Sequence, residues 1–338
     1  MIHTLIWIAG FLMLGLLVGV TYQQVGERRD SQLYPRPGKF INLGTHRLHF
    51  LEEGRGSPTI ILEAGLMSTN LSWTEIRRKL AQSYRVVTYD RAGLGWSDIG
   101  PMPRTAERIV DELHALLNLA AIPPPYVLVG HSFGGLTMPL FAARYPEKTA
   151  GMVLVDPVVP AEWNPPSEQD LKRATIGSIV CRRAALLCRA GVIRFVAFLL
   201  NSRAKKVASH MVRLISRGTP ADSGSVSSPW FWNLPPDERR MASVFWVQEK
   251  FCNTIVSQLE NLPQSARRLA ELDNLCDKPV IILSAKSTPP TRREQHIIIT
   301  QRLPQGGHLM ADKSTHWIMQ DQPELVIGAI HAVAQSNS

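Results

Sequence analysis

The chain has no Cys-x-x-Cys pair, and its four cysteines are Cys181, Cys188, Cys252 and Cys276. That spacing argues against a zinc site or a dithiol redox centre. The cysteines are then either buried thiols or members of one or two disulfides. Cys181 and Cys188 cannot pair with each other if one unbroken helix carries both, since it would hold them about 10 Å apart. The net charge is +9, yet no aromatic-basic RNA motif accompanies it, so nucleic acid is set aside as a partner. No Asp or Glu occurs between residues 171 and 217, where eleven Lys or Arg stand. No Lys or Arg precedes the apolar run at residues 2–20, and no clear Ala-x-Ala site follows it. Both absences count against a cleaved secretory signal.

That apolar run is long enough to cross a bilayer as a helix. Residues 1–22 are therefore read as an uncleaved membrane anchor, with a signal segment as the alternative. Arg28, Arg29, Arg36 and Lys39 flank it downstream. By the positive-inside rule they put the body on the cytoplasmic side, but Glu27 and Asp30 are mixed in, and the side stays open. Residues 23–39 are polar, contain Pro35 and Pro37, and read as a linker.

The body shows a hairpin pattern near residues 40–51. Strand-like runs follow near 59–63, 85–89, 126–129, 152–155, 279–284 and 307–311, with helical patterns between them. Such alternation predicts an α/β fold, a mostly parallel sheet with helices on both faces. Residues 160–265 break the alternation with helix-like stretches and a Pro/Ser-rich piece at 219–229. They are read as a helical cap inserted into a core formed by residues 40–159 and 266–338. The cap is basic and strongly apolar near 184–200. It reads either as an ordinary cap with a solvated basic face, or as a surface that lies on anionic lipid beside the anchor.

Residues 130–134 read Gly-His-Ser-Phe-Gly, between a strand-like run and a helix-like run. Gly-x-Ser-x-Gly in that setting is the form of a nucleophile elbow, in which a sharp turn lifts the serine hydroxyl into a cleft. Small neighbours at Gly130 and Gly134 relieve the crowding of such a turn. Ser132 then needs a base and a group to orient that base. His316, between the last strand-like run and the final helix, is the candidate base. His308 lies inside the strand-like run and reads as packing; His131 reads as structural. The loop after the penultimate strand carries no Asp or Glu before Glu294, whereas Asp156 ends an earlier strand whose tip opens on the same cleft. Asp156 is the candidate acid, which keeps the order Ser, Asp, His. The oxyanion hole would use the backbone N–H groups of Phe133 and Leu66, with Gly65 allowing close approach.

These residues resemble an α/β-hydrolase. The match is carried by Leu-Glu-Ala-Gly at 62–65, Tyr-Asp-Arg-Ala-Gly-Leu-Gly-Trp-Ser-Asp at 89–98, Val-Gly-His-Ser-Phe-Gly-Gly at 129–135, Val-Leu-Val-Asp-Pro at 153–157 and Ser-Thr-His-Trp-Ile at 314–318. It is nearest to the lidded serine-esterase-like branch. Two departures stand out: Ala64 replaces a frequent histidine, and the acid after the penultimate strand is missing. Some haloalkane dehalogenases place their acid after the earlier strand, as Asp156 is placed here, but Ser132 argues against their aspartate-nucleophile chemistry. The resemblance implies hydrolysis of hydrophobic esters through an acyl-enzyme, with no cofactor or metal. Lactone, amide or C–C hydrolysis on the same residues, or a non-catalytic ligand-binding role, are the alternatives.

Overall fold

Eight strands form one sheet: β1 (Lys39–Asn42), β2 (Arg47–Glu53), β3 (Thr59–Glu63), β4 (Val86–Tyr89), β5 (Tyr126–His131), β6 (Thr149–Val155), β7 (Val280–Ala285) and β8 (Gly306–Ala311). Their order is β1-β2-β4-β3-β5-β6-β7-β8. β1 with β2 and β2 with β4 are antiparallel; the remaining pairs are parallel. This computed structural model describes residues 2–34, 36–200, 231, 234–272 and 277–336. The Pro/Ser-rich stretch at 219–229 and Cys276 lie outside them.

The strands read as continuous apolar runs because both faces of the sheet are covered. Along β3, Ile60 and Leu62 pack in one layer with Trp73, Ile76 and Leu80 of the segment leading into and through α2 (Thr74–Leu80). The same layer takes Val326, Ile330 and Val333 of α12 (Pro323–Gln335). Ile61 points the other way, into the layer built by α3 (Ala106–Leu119), α4 (Gly134–Arg144) and α9 (Leu262–Ala270). Side chains alternating with period two thus feed two cores from one strand. Two helices complete the second half, α10 (Pro290–Arg302) between β7 and β8 and α11 (Ile318–Asp321) before α12.

Among the described residues, the segment between β6 and β7 adds no strand to the sheet. It holds α5 (Glu168–Arg189), α6 (Val192–Leu200), α7 (Pro236–Trp246), α8 (Glu249–Glu260) and α9. Cys181 and Cys188 both lie on α5, and with Cys252 they are free thiols.

The N-terminal helix corrects one expectation. α1 runs from Ile2 to Leu33, so residues 23–33 are helix and not a polar tether. No proline interrupts residues 2–33, and Gln23, Gln24, Glu27, Arg28 and Arg29 are good helix formers. Docking adds a tertiary reason. Gln23 is buried; its Nε2 donates to the Val247 carbonyl (2.7 Å), and its Oε1 accepts from Arg194 Nε (2.9 Å). Arg194 Nη1 also donates to Asp30 Oδ2 (2.6 Å).

Candidate active site

The C-terminal ends of the parallel strands open on one edge, where sheets of this kind gather their ligand-binding loops. β5 ends there at His131, and Ser132 follows with φ 52°, in the left-handed region. That conformation is costly for a non-glycine residue. The surroundings hold it in place. Ser132 N–H donates to Val155 O (3.0 Å), and Ser132 O accepts from Gly135 N–H (2.9 Å) and Val158 N–H (2.9 Å). A Cβ at Gly130 would lie 2.6 Å from the Gly134 carbonyl oxygen, which only glycine avoids. Gly134 itself is less tightly enclosed; its neighbour Gly135 is the second obligatory glycine, pressed against Pro157 and the Val158 carbonyl. α4 starts at Gly134, with Phe133 between it and the serine as N-cap and no side-chain cap, so the positive end of the helix faces the serine.

Asp156 follows β6, also with a positive φ (43°), and its N–H donates to Leu283 O (2.8 Å). Its carboxylate is buried. Oδ2 accepts from His316 Nδ1 (2.5 Å) and Oδ1 accepts from the Thr288 hydroxyl (2.5 Å). Burial alone would raise its pKa. The hydrogen bond and positive charge of His316, the Thr288 bond and the charge of Arg292 outweigh that and hold it at about 2. The aspartate is therefore an anion at neutral pH, and its bond fixes the proton of His316 on Nδ1, leaving Nε2 free to accept.

His316 lies on the loop after β8. Asp321 Oδ2 clamps that loop by accepting from the Thr315 N–H (2.8 Å) and hydroxyl (2.6 Å). From below, His131 Nε2 donates to the His316 carbonyl (2.9 Å), and the two rings lie 4.6 Å apart. Burial, with the nearby charge of His316 behind it, pushes His131 well below the usual imidazole range, so it stays neutral. His131 is thus a buttress beneath the His316 loop. His308 is not part of the cluster: its Nε2 bonds Ser284 Oγ (2.8 Å).

The loop after β3 carries Gly65 and Leu66. A Cβ at Gly65 would lie 2.6 Å from His131 Nδ1 and 3.2 Å from Ser132 Cβ, so the missing side chain brings this loop against the serine. Arg91 shapes it. Its guanidinium donates to Ala64 O and to Gly65 O (2.6 Å), pairs with buried Glu63, and lies over the Phe133 ring (5.2 Å). With both carbonyls turned to Arg91, the following N–H of Leu66 is turned the opposite way. Among the described residues, no hydrogen bond engages the N–H of Leu66 or Phe133.

Above the serine, Leu66, Met67 and Trp317 pack with Leu234, Phe245, Phe251 and Ile255 from the helical segment. Leu66, Met67, Ser132, His316 and Trp317 are all half-buried, whereas Gly65, Ser68, His131, Phe133 and Ile318 beside them are buried, which marks the mouth of the site. The helices over it are pinned to the loop after β4: Lys250 Nζ donates to Gly95 O (2.9 Å) and Ser97 O (2.8 Å), and burial pushes its pKa down to about 8. A separate cavity of about 560 Å³ lies between the foot of α1, that loop and α7–α8; it borders Trp96 and Phe245 but not Ser132 or His316. Among the described residues, no three His, Cys, Asp or Glu side chains are grouped to hold a metal ion.

Of the residues read from sequence, Asp156 and His316 are in direct contact, Ser132 is tied through backbone bonds to the residues flanking Asp156, and Leu66 and Phe133 flank the serine. Thr288 was not anticipated. The acid-free loop after β7 does serve this site, with a hydroxyl in place of a carboxylate. Its signal was present but faint: a lone threonine on a loop already expected to face the cleft.

Comparison with known proteins agrees with this architecture. The profile of the alpha/beta hydrolase family matches residues 60–329. A probable transporter of Hormonema carpetanum is 40% identical over 124 residues, 34% of this chain and 18% of that protein. The chain spans less than half the length of the curated relatives it matches first. Among solved structures, a thermophilic esterase from Thermogutta terrifontis superposes with a TM-score of 0.60 at 20% identity, covering 89% of this chain and 99% of that one. The enol-lactonase from Burkholderia xenovorans LB400 gives 0.58 at 18% identity, over 88% of this chain and 100% of its own. At these identities the likeness is one of fold.

Proposed function

This chain belongs to the alpha/beta hydrolase family, and we propose that it is a serine hydrolase of hydrophobic carboxylic esters. The observation that carries the reading is the 2.5 Å bond between His316 Nδ1 and Asp156 Oδ2 beside the strained Ser132. An ionised, buried aspartate that fixes the imidazole tautomer is what a serine nucleophile requires.

The steps follow from that arrangement. His316 Nε2 takes the Ser132 proton as Oγ attacks the ester carbonyl. The carbonyl oxygen becomes an oxyanion held by the Phe133 and Leu66 N–H groups and by the positive end of α4. Asp156 stabilises the imidazolium. As the intermediate collapses, His316 returns the proton to the departing alkoxide, which leaves as an alcohol. A water then attacks the acyl-Ser132 ester by the same steps and the carboxylic acid departs. The apolar side chains above the serine favour an acyl group with little charge. A lactone, as an internal ester, fits the same machinery.

α1 has the length and hydropathy of a membrane span. We read it as a retained anchor, supported by the close packing of Gly19 against Ala190 and Gly191, a contact that cleavage after residue 20 or so would remove. Turnover of a p-nitrophenyl acyl series by wild type and Ser132→Ala tests the serine mechanism; activity surviving in the alanine variant would sink it.

A further inference from the structure

As a retained anchor, α1 fixes where the bilayer ends relative to the body. Residues 2–18 are exposed along their whole length, and Gly19 is the first to be partly covered. Seventeen helical residues span about 25 Å, close to the hydrocarbon thickness of a bilayer. The membrane boundary therefore falls near Gly19.

That is the point where another part of the molecule meets α1. A side chain on Gly19 would collide with the Ala190 carbonyl, and one on Gly191 would collide with the Gly19 carbonyl. Gly191 also has φ 72°, where it turns α5 into α6. Two backbones are thus in contact at the membrane boundary, and the Arg194 bonds to Gln23 and Asp30 lock the corner to the helix.

The corner carries large apolar side chains on its outside. Leu186 is 68% exposed, Phe195 46% and Phe198 60%. Each is within seven residues of Gly191, hence within about 10 Å of it along its helix, near enough to reach the headgroup layer. Arg183 and Arg189 are exposed on the same corner, while Arg182 pairs with Glu260 (2.6 Å), and no acidic residue occurs from 171 to 217.

We propose that the α5–α6 corner is a second membrane contact, seated on an anionic bilayer surface beside the anchor. Leu186, Phe195 and Phe198 enter the boundary between headgroups and acyl chains, and the arginines pair with lipid phosphates. This rests on α1 being a retained anchor. It gives the helices over Ser132 a fixed seat on the membrane, next to a reservoir of hydrophobic esters.

The test uses the full chain in phosphatidylcholine–phosphatidylglycerol vesicles that carry doxyl-labelled lipid, with the doxyl group shallow for labels near the surface and deep for a label inside the anchor. An environment-sensitive fluorescent amino acid is placed in turn at Phe198, at Leu12 inside the anchor, and at Asn118 on the opposite edge of the sheet. The label at 198 is expected to be quenched about twofold or more relative to 118. Combined Arg183→Glu and Arg189→Glu substitutions should reduce quenching at 198 and leave position 12 quenched. A label at 198 that behaves like 118 while 12 is quenched overturns the contact and leaves the anchor standing. Unchanged quenching at 198 in the charge-reversed chain overturns the anionic-lipid assignment. A label at 12 that escapes quenching overturns the anchor reading, and this contact with it.

Discussion

The Thr288 hydroxyl donates to Asp156 Oδ1 at 2.5 Å, while His316 Nδ1 holds the other carboxylate oxygen at the same distance. A loop with no acid of its own thus anchors an acid borrowed from β6. Removing that donor leaves a buried carboxylate one hydrogen bond short, at a cost of about 1–3 kcal/mol. Thr288→Val is expected to lower kcat for ester hydrolysis about tenfold or more, by the same energy scale. Thr288→Ser should recover most of the loss. Equal rates for the valine and serine variants would show that the hydroxyl does not matter.

Asp156 has a sharper test. Asp156→Asn keeps the shape but reverses the hydrogen-bonding partner seen by Nδ1, which favours the wrong tautomer of His316. A fall in kcat on the order of 10⁴ is expected, with KM nearly unchanged. Steady-state kinetics on a short-chain ester measure both; wild-type kcat would reduce Asp156 to a turn residue before Pro157.

These positions were unequally legible in the sequence. Ser132 sits in a local motif whose glycines have local reasons, and His316 lies between two recognisable elements, so motif and element order together point both to one sheet edge. Asp156 emerged because a competing loop was empty. Thr288 carries no such mark, since hydroxyl residues on loops are common and its partner is far along the chain. The lower half of α1 was misread for a related reason. Its polar residues suit a tether as well as a helix, and what decides between them is Arg194 and the Val247 carbonyl, which no local window contains. Gly135 adds a tighter constraint than Gly134, whose Cβ would meet Glu63 Cγ at 3.2 Å, and no local window shows it because the pressing atoms belong to Pro157 and Val158.

Arg91 should behave as a positioning residue for the oxyanion loop. Arg91→Met frees the Ala64 and Gly65 carbonyls but strands Glu63, which is buried. Stranding a buried charge costs about 3–5 kcal/mol of stability. Pairing it with Glu63→Gln should restore much of the stability but not the activity. The double variant is expected to bind an alkyl boronate, a mimic of the tetrahedral intermediate, about 10²-fold less tightly than wild type, while KM changes little. Full recovery of boronate affinity in the double variant would assign Arg91 a purely structural part.

Acid stability follows from a buried imidazole. His296 Nδ1 bonds Ser284 Oγ (2.8 Å) and its Nε2 donates to Pro157 O (2.9 Å); burial holds its pKa at about 4. The folded value lies below the unfolded one near 6.5, so the unfolded chain binds the extra proton between those pH values. Stability is therefore lost as pH falls from 6.5 towards 4, by about 3 kcal/mol. Urea unfolding in detergent from pH 7 to pH 4 should show this slope, and His296→Gln should flatten it. An unchanged slope in that variant would assign the effect to other groups.

The most direct measurement is covalent capture of the nucleophile. After reaction with an alkyl fluorophosphonate, mass spectrometry of the digested protein should find one phosphonyl group per chain, on the peptide containing Ser132. The adduct should be absent in Ser132→Ala and form far more slowly in His316→Ala. Labelling at another residue, or ester turnover that persists once Ser132 is gone, would contradict the serine mechanism.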